Sequence, residues 1–207
     1  MKCENIFKKC FLLLLPLLLF IPAGNAFAAG SSDSSKTPLA WSLGLLHVQT
    51  GEMIQFAAPV KSASGDKFRI VISPAAACFA YVIYKSPNGE ELDVIYEGPI
   101  KNDETWYSSI LEPIPPGGPE SFFVVVSQAE QKILEQKISE FKQTPEPAQK
   151  EALINEIFRL QGEVSQIKET APRPSTLGGA ARGAPGKNQG VEYSGLAAYV
   201  KIISIEH

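Results

Sequence analysis

Histidine is nearly missing from this chain: its 207 residues include two, His47 and His207. A zinc site built from imidazole and thiolate ligands cannot be assembled from so few. A Ser-His-acid triad would have to recruit His47, which falls in a predicted strand, and no nucleophile elbow accompanies it. No metal, cofactor or catalytic residue is expected on these grounds, and His47 reads as a hydrogen-bonded or surface side chain. Cysteine is scarce as well, at three residues. Cys3 and Cys10 lie at the extreme N-terminus, so the rest of the chain holds the single thiol of Cys78 and no disulfide framework. Cys78 sits in an apolar run and reads as a small core residue. Long apolar stretches are lacking too. The longest, Phe11 to Ile21, is about 11 residues and contains Pro16, against the roughly 20 that a spanning helix needs. Positive charge is in slight deficit, with 19 Lys and Arg against 22 Asp and Glu.

What is present at the N-terminus makes sense of the short apolar run. Lys2, Lys8 and Lys9 precede it and Ala26-Phe27-Ala28 follows, so residues 1–28 read as a signal peptide cleaved near Ala28. No cysteine stands at that site, so lipidation is not expected. The product is expected to be exported, periplasmic or extracellular, with no membrane span after cleavage. Cleavage removes Lys2, Lys8, Lys9 and Glu4, leaving a more acidic remainder that gives no electrostatic case for binding nucleic acid or an anionic membrane.

Residues 29–38 are serine-rich and read as a disordered spacer. Residues 39–207 are expected to form one domain. Leu39 to Val48 is a strand candidate, and Met53 to Phe56 a shorter one. The centre of the chain is the run Phe68 to Ser73 followed by Cys78 to Tyr84. In the first, Phe68, Ile70 and Ile72 alternate with polar residues, and Val71 is the exception on the outer face. The second is apolar at both parities, as in a strand covered on both faces. A Pro-Ala turn between them suggests neighbouring strands of one sheet. Asn88-Gly89 then marks a hairpin into a strand in which Leu92, Val94 and Tyr96 share a face. Thr105 to Ser109 suggests a short edge strand, and Ser121 to Ser127, almost wholly apolar, a central one.

After Gln128 the period changes. Leu134, Ile138 and Phe141 fall at helical spacing, and Leu153, Ile157, Leu160, Val164 and Ile167 are spaced like a coiled-coil seam, broadened by Ile154 and Phe158. Thr144-Pro145-Glu146-Pro147 separates the two stripes, with Thr144 the expected N-cap of the second helix. Residues 128–168 therefore read as an antiparallel helical hairpin. It is taken as a graft whose removal leaves the rest folded. Residues 171–190 are rich in Gly, Ala and Pro and read as a flexible linker. Within them Gly183 to Lys187 is a partial match to a phosphate-binding loop, but Asn188 stands where Ser or Thr is needed and no strand precedes it. Leu196 to Ile205 is the last expected strand.

The fold expected is mainly β: an antiparallel sandwich of about seven or eight strands with an inserted helical hairpin. Gly65-Asp66-Lys67-Phe68-Arg69, the aromatic strand Phe79 to Tyr84, Asn88-Gly89, and Pro116 to Glu120 ahead of Phe122 to Ser127 carry a family likeness. Over residues 51–127 and the last strand the chain resembles a bacterial exported-protein domain of unknown function (four-three-eight-four in the usual series). The resemblance implies an exported domain with no established activity.

The function expected is a non-catalytic envelope module that binds a protein partner. Trp106 and Tyr107, with the seam residues Leu153, Ile157, Leu160 and Val164, are the interaction candidates. Two alternatives stand beside it. One is a hydrolase or carbohydrate binder using the 88–107 loops, with carboxylates from Glu90, Glu91, Asp93, Asp103 and Glu104 and stacking from Trp106 and Tyr107. The other is a self-assembling homo-oligomer.

Overall fold

Strict alternation builds the first strand. In β1 (Leu39–His47), Leu39, Trp41, Leu43 and Leu45 point to one face and are buried. The structure is a computed structural model that describes residues 39–113, 117–164, 173–176, 189–195 and 198–207. The expected signal peptide and spacer, the phosphate-loop match and the side chain of Val164 lie outside the described residues.

The strands after β1 are β2 (Glu52–Ile54), β3 (Val60–Lys61), β4 (Phe68–Pro74), β5 (Cys78–Lys85), β6 (Leu92–Ile100), β7 (Trp106–Tyr107) and β8 (Pro119–Ser127). The helices α1 (Lys132–Gln143) and α2 (Pro147–Val164) follow, then β9 (Arg173–Thr176), β10 (Gln189–Gly195) and β11 (Tyr199–Glu206). Sheet 1 runs β7-β4-β1-β10-β9, with β2 also on β1; sheet 2 runs β3-β11-β8-β5-β6. Pairing is antiparallel except between β3 and β11. The chain is thus a β-sandwich with a helical hairpin inserted after β8, as its pattern predicts.

Two cores result. The first lies between the sheets and is filled by the β1 residues, Phe68, Ile70 and Ile72 of β4, Cys78, Ala80 and Val82 of β5, and Phe122, Val124 and Val126 of β8. Burial pushes the Cys78 thiol up to about 11, so it is an inert core residue. The second core lies on the far side of sheet 2. There Tyr81, Ile83, Phe123 and Val125 meet Leu134, Ile138 and Phe141 of α1 and Leu153, Ile157 and Leu160 of α2. The central strands β5 and β8 are apolar at both parities because each faces both cores.

Several expectations need correction. β4 and β5 are not sheet neighbours: β4 belongs to sheet 1 and β5 to sheet 2, and Ala75–Ala77 arches between them. Alternation reveals which face is buried but not which strand pairs with which. The arch lacks a residue suited to positive φ, and it is anchored by Ala75 N–H to the carbonyl of Ala40 at 2.8 Å. Val71 is not among the inter-sheet core residues that include Ile70 and Ile72, as its parity suggests, yet it is fully buried. Leu92, Val94 and Tyr96 do not share a face. The register slips so that Val82 faces Tyr96 while Ile83 faces Val94, leaving Ile95 as a bulge. Leu92 and Val94 then turn to the helices, and Ile95 and Tyr96 to the inter-sheet core.

The helical segment also differs in detail. Thr144 closes α1, its N–H bonding Glu140 O at 3.0 Å. The Glu146 carbonyl accepts the first bonds of α2, and Pro147 takes the first helical position, where a missing N–H costs nothing. The expected linker contributes β9 and the start of β10, so 171–190 is not a plain tether. The hairpin shares a core with the sandwich. It roofs sheet 2, and removing it would expose Tyr81, Ile83, Phe123 and Val125 together.

Candidate functional site

Along one side of the sandwich the edges of the two sheets close on each other through Tyr96 of β6 and Trp106 of β7, whose rings are 4.7 Å apart. Beside that closure is a concave region of about 330 Å³ lined by Tyr84, Glu91, Asp93, Ile95, Ser109, Ile110, Leu111, Glu112, Glu120 and Phe122. Four local devices position these side chains.

The first is the β5–β6 turn. Gly89, at φ 73°, donates its N–H to Ser86 O at 3.0 Å. The buried Ser86 hydroxyl donates to Asn88 Oδ1 at 2.7 Å and accepts from Glu91 N–H at 2.9 Å. Glu91 is thereby fixed at the lip. The second is the bulge, which turns Ile95 inward. The third is Ser108. Its hydroxyl accepts the Ile70 N–H at 3.0 Å, and Leu111 exchanges both backbone bonds with Phe68 at 2.9 Å. Residues 108–111 are therefore held along β4 although β7 itself is two residues long. The fourth is strand parity: Glu120 shares its face with Phe122, Val124 and Val126, so its carboxylate caps the end of the inter-sheet core.

The ionisable lining is carboxylate and phenol. Glu120 is 5 % exposed and lies near the Tyr84 hydroxyl. Burial pushes that hydroxyl up to about 12, helped by the neighbouring carboxylates of Glu120 and Glu91, so Tyr84 stays a neutral donor. The ring of Tyr84 lies 5.3 Å from that of Phe122. At the rim Lys67 approaches Glu112 at 3.4 Å. Among the described residues no group of three His, Cys, Asp or Glu is placed to hold a metal ion. The carboxylates are therefore spread over a surface rather than converged on a point. Such a surface suits a cation with a body of its own, whose apolar stem rests on Ile95, Ile110, Leu111 and Phe122.

The sequence-derived candidates fall in several places. Glu91 and Asp93 line the cleft, whereas Glu90 is tied to Asn88 Nδ2 at 2.7 Å. Trp106 is half-buried against Tyr96 and Tyr107 is 42 % exposed, but neither lines the cleft. Leu153, Ile157 and Leu160 are buried in the second core and present nothing to solvent. Phe158, by contrast, is 47 % exposed, meets Phe123 edge-on and is not among the residues of the second core. His47 fastens a turn: its Nε2 is 3.4 Å from Asp66 and its Nδ1 receives the Thr50 N–H at 3.2 Å. Ala63 N–H and then His47 hold the Asp66 carboxyl below its ordinary range.

Sequence reasoning missed Tyr84, Ile110, Leu111, Glu112 and Glu120 as site residues. For Glu120 a signal existed, namely a carboxylate on the core-facing parity of a strand.

No protein-family model matches the chain, and no curated protein or solved structure is similar to it. No helix among the described residues is long and apolar enough to cross a membrane.

Proposed function

We propose that this protein is an exported, non-catalytic module of the bacterial envelope whose lateral cleft receives a basic, partly apolar segment of a protein partner. The observation that carries this reading is the cleft's lining: Glu91, Asp93, Glu112 and Glu120 over apolar walls, with Ile110 left 47 % exposed at the mouth. A Lys or Arg side chain in an extended segment supplies the matching charge and an aliphatic stem. β6 beside the cleft is the last strand of its sheet among the described residues, and its outer edge offers backbone groups to the same segment. The carbohydrate or hydrolase alternative is less well supported, because Trp106 and Tyr107 do not join the carboxylates in one cleft.

The test is a fluorescence-anisotropy titration with a labelled alternating Lys-Val peptide. The wild type should bind it, more weakly as salt rises, and should not bind the same peptide with Glu for Lys. Glu91→Lys with Asp93→Lys should weaken binding at least roughly tenfold. Equal binding by wild type and the double variant would refute the reading.

A further inference from the structure

Strand β6 is the outermost strand of sheet 2 among the described residues, and such a strand turns one row of backbone donors and acceptors away from its sheet. The register slip at Ile95 sets Asp93 opposite Tyr84 and Glu97 opposite Tyr81. Tyr84 packs on the inter-sheet side and Tyr81 on the helix side, so the two acidic residues point to opposite faces. In a regular strand residues four apart share a face; the bulge is what separates these two.

Each face carries a concavity at this edge. On the inter-sheet face it is the acidic cleft, which Glu91, Asp93 and Ile95 line. On the helix face β6 and α1 frame a depression of about 410 Å³ lined by Glu97, Gly98, Glu135, Ser139, Lys142 and Gln143. Lys142 pairs with Glu97 at 2.6 Å, and Glu135 accepts from the Tyr81 hydroxyl at 2.7 Å, so two carboxyl groups stand there with one ammonium. A second copy of the chain does not suit this edge. β6 carries Asp93 and Glu97 and no Lys or Arg, so pairing it with itself would set acids against acids.

Resting on the reading that the cleft takes a basic segment, we propose that this segment adds to the β6 edge as a strand and bears two cations three residues apart, one for the cleft and one for the depression. The spacing follows from the bulge. Tyr84 and Tyr81, opposite Asp93 and Glu97, are three residues apart on β5, and a regular strand laid on the other edge of β6 spans the same distance. Residues three apart in a strand point to opposite faces and lie about 10 Å from each other. The main chain supplies the ladder, and the two side chains supply the selection.

Fluorescence anisotropy tests this with two labelled peptides of one composition, each with two Lys among Val and Thr. One has its Lys residues three apart and the other has them two apart, on a single face. The wild type should bind the first at least roughly threefold more tightly. Ser139→Lys, at an exposed position in the depression, should erase that advantage and leave the second peptide's affinity unchanged. Two further versions of the first peptide, N-methylated on alternate sets of amides, read the ladder itself. One should bind and the other should not, since only every second N–H of an added strand points at its neighbour. Equal behaviour of these two would overturn the inference. Equal affinity for the two spacings, with the second peptide still bound, would overturn it and leave the cleft reading standing; binding of neither peptide would defeat both. Self-association of the protein alone, in competition with the peptide, would give the edge to a second copy and overturn the inference as well.

Discussion

The two flanks of sheet 2 use similar residue types to opposite ends. On the helix side, six aliphatic and aromatic side chains from α1 and α2 are buried against Tyr81, Ile83, Phe123 and Val125. On the open side, at the β6 edge, Ile95, Ile110 and Leu111 stand among Glu91, Asp93 and Glu112 and stay within reach of solvent. The first arrangement spends its apolar surface within the molecule, at roughly 1.5–3 kcal/mol for each fully buried side chain. The second keeps apolar surface available and surrounds it with one sign of charge. Helical spacing alone does not tell a docking face from a core face; what the stripe packs against does.

This contrast can be broken by mutation, and the largest effect should come from the helix side. Ile157→Ala should destabilise the protein by about 2–5 kcal/mol in urea titration, because it opens a cavity in a core shared by helix and sheet. Helix and sheet signals should be lost in one transition; separate transitions would mean that the two do not share a core. A smaller effect is expected from the turn that sets the cleft's lip. Gly89→Ala meets an unfavourable backbone, at φ 73°, and places a Cβ 3.3 Å from Lys85 Cε, so it should cost about 1 kcal/mol in thermal unfolding. The smallest should be at the cleft. Glu91→Lys with Asp93→Lys should leave stability within about 0.5 kcal/mol of wild type while affecting peptide binding. A large loss of stability there would make those carboxylates structural.

How legible this was in the sequence differs between the same two flanks. Apolar residues at both parities of Phe79 to Tyr84 and Ser121 to Ser127 foretold strands covered on both faces, and the stripes through Leu134 and Leu153 foretold the hairpin. Period carries that information because each side chain's direction is set by its own strand or helix. The cleft was only partly legible. Glu91 and Asp93 were visible as carboxylates near an Asn-Gly turn, but Ile95 joins them only because a bulge shifts the register by one residue. Ser109 to Glu112 join them because the Ser108 hydroxyl and Leu111 bond β4, far away in sequence. The arch from β4 to β5 was misread for a related reason, since alternation is blind to which sheet a strand joins.

The central claim is that the cleft, not the helical hairpin, receives a partner. Its most direct measurement is an amide-exchange footprint of the wild-type protein with and without the alternating Lys-Val peptide. The account predicts added protection at Glu91 to Ile95 and Ser109 to Glu112, with α1 and α2 unchanged. Protection confined to the helices, or absent from the cleft while the peptide is bound, would contradict it.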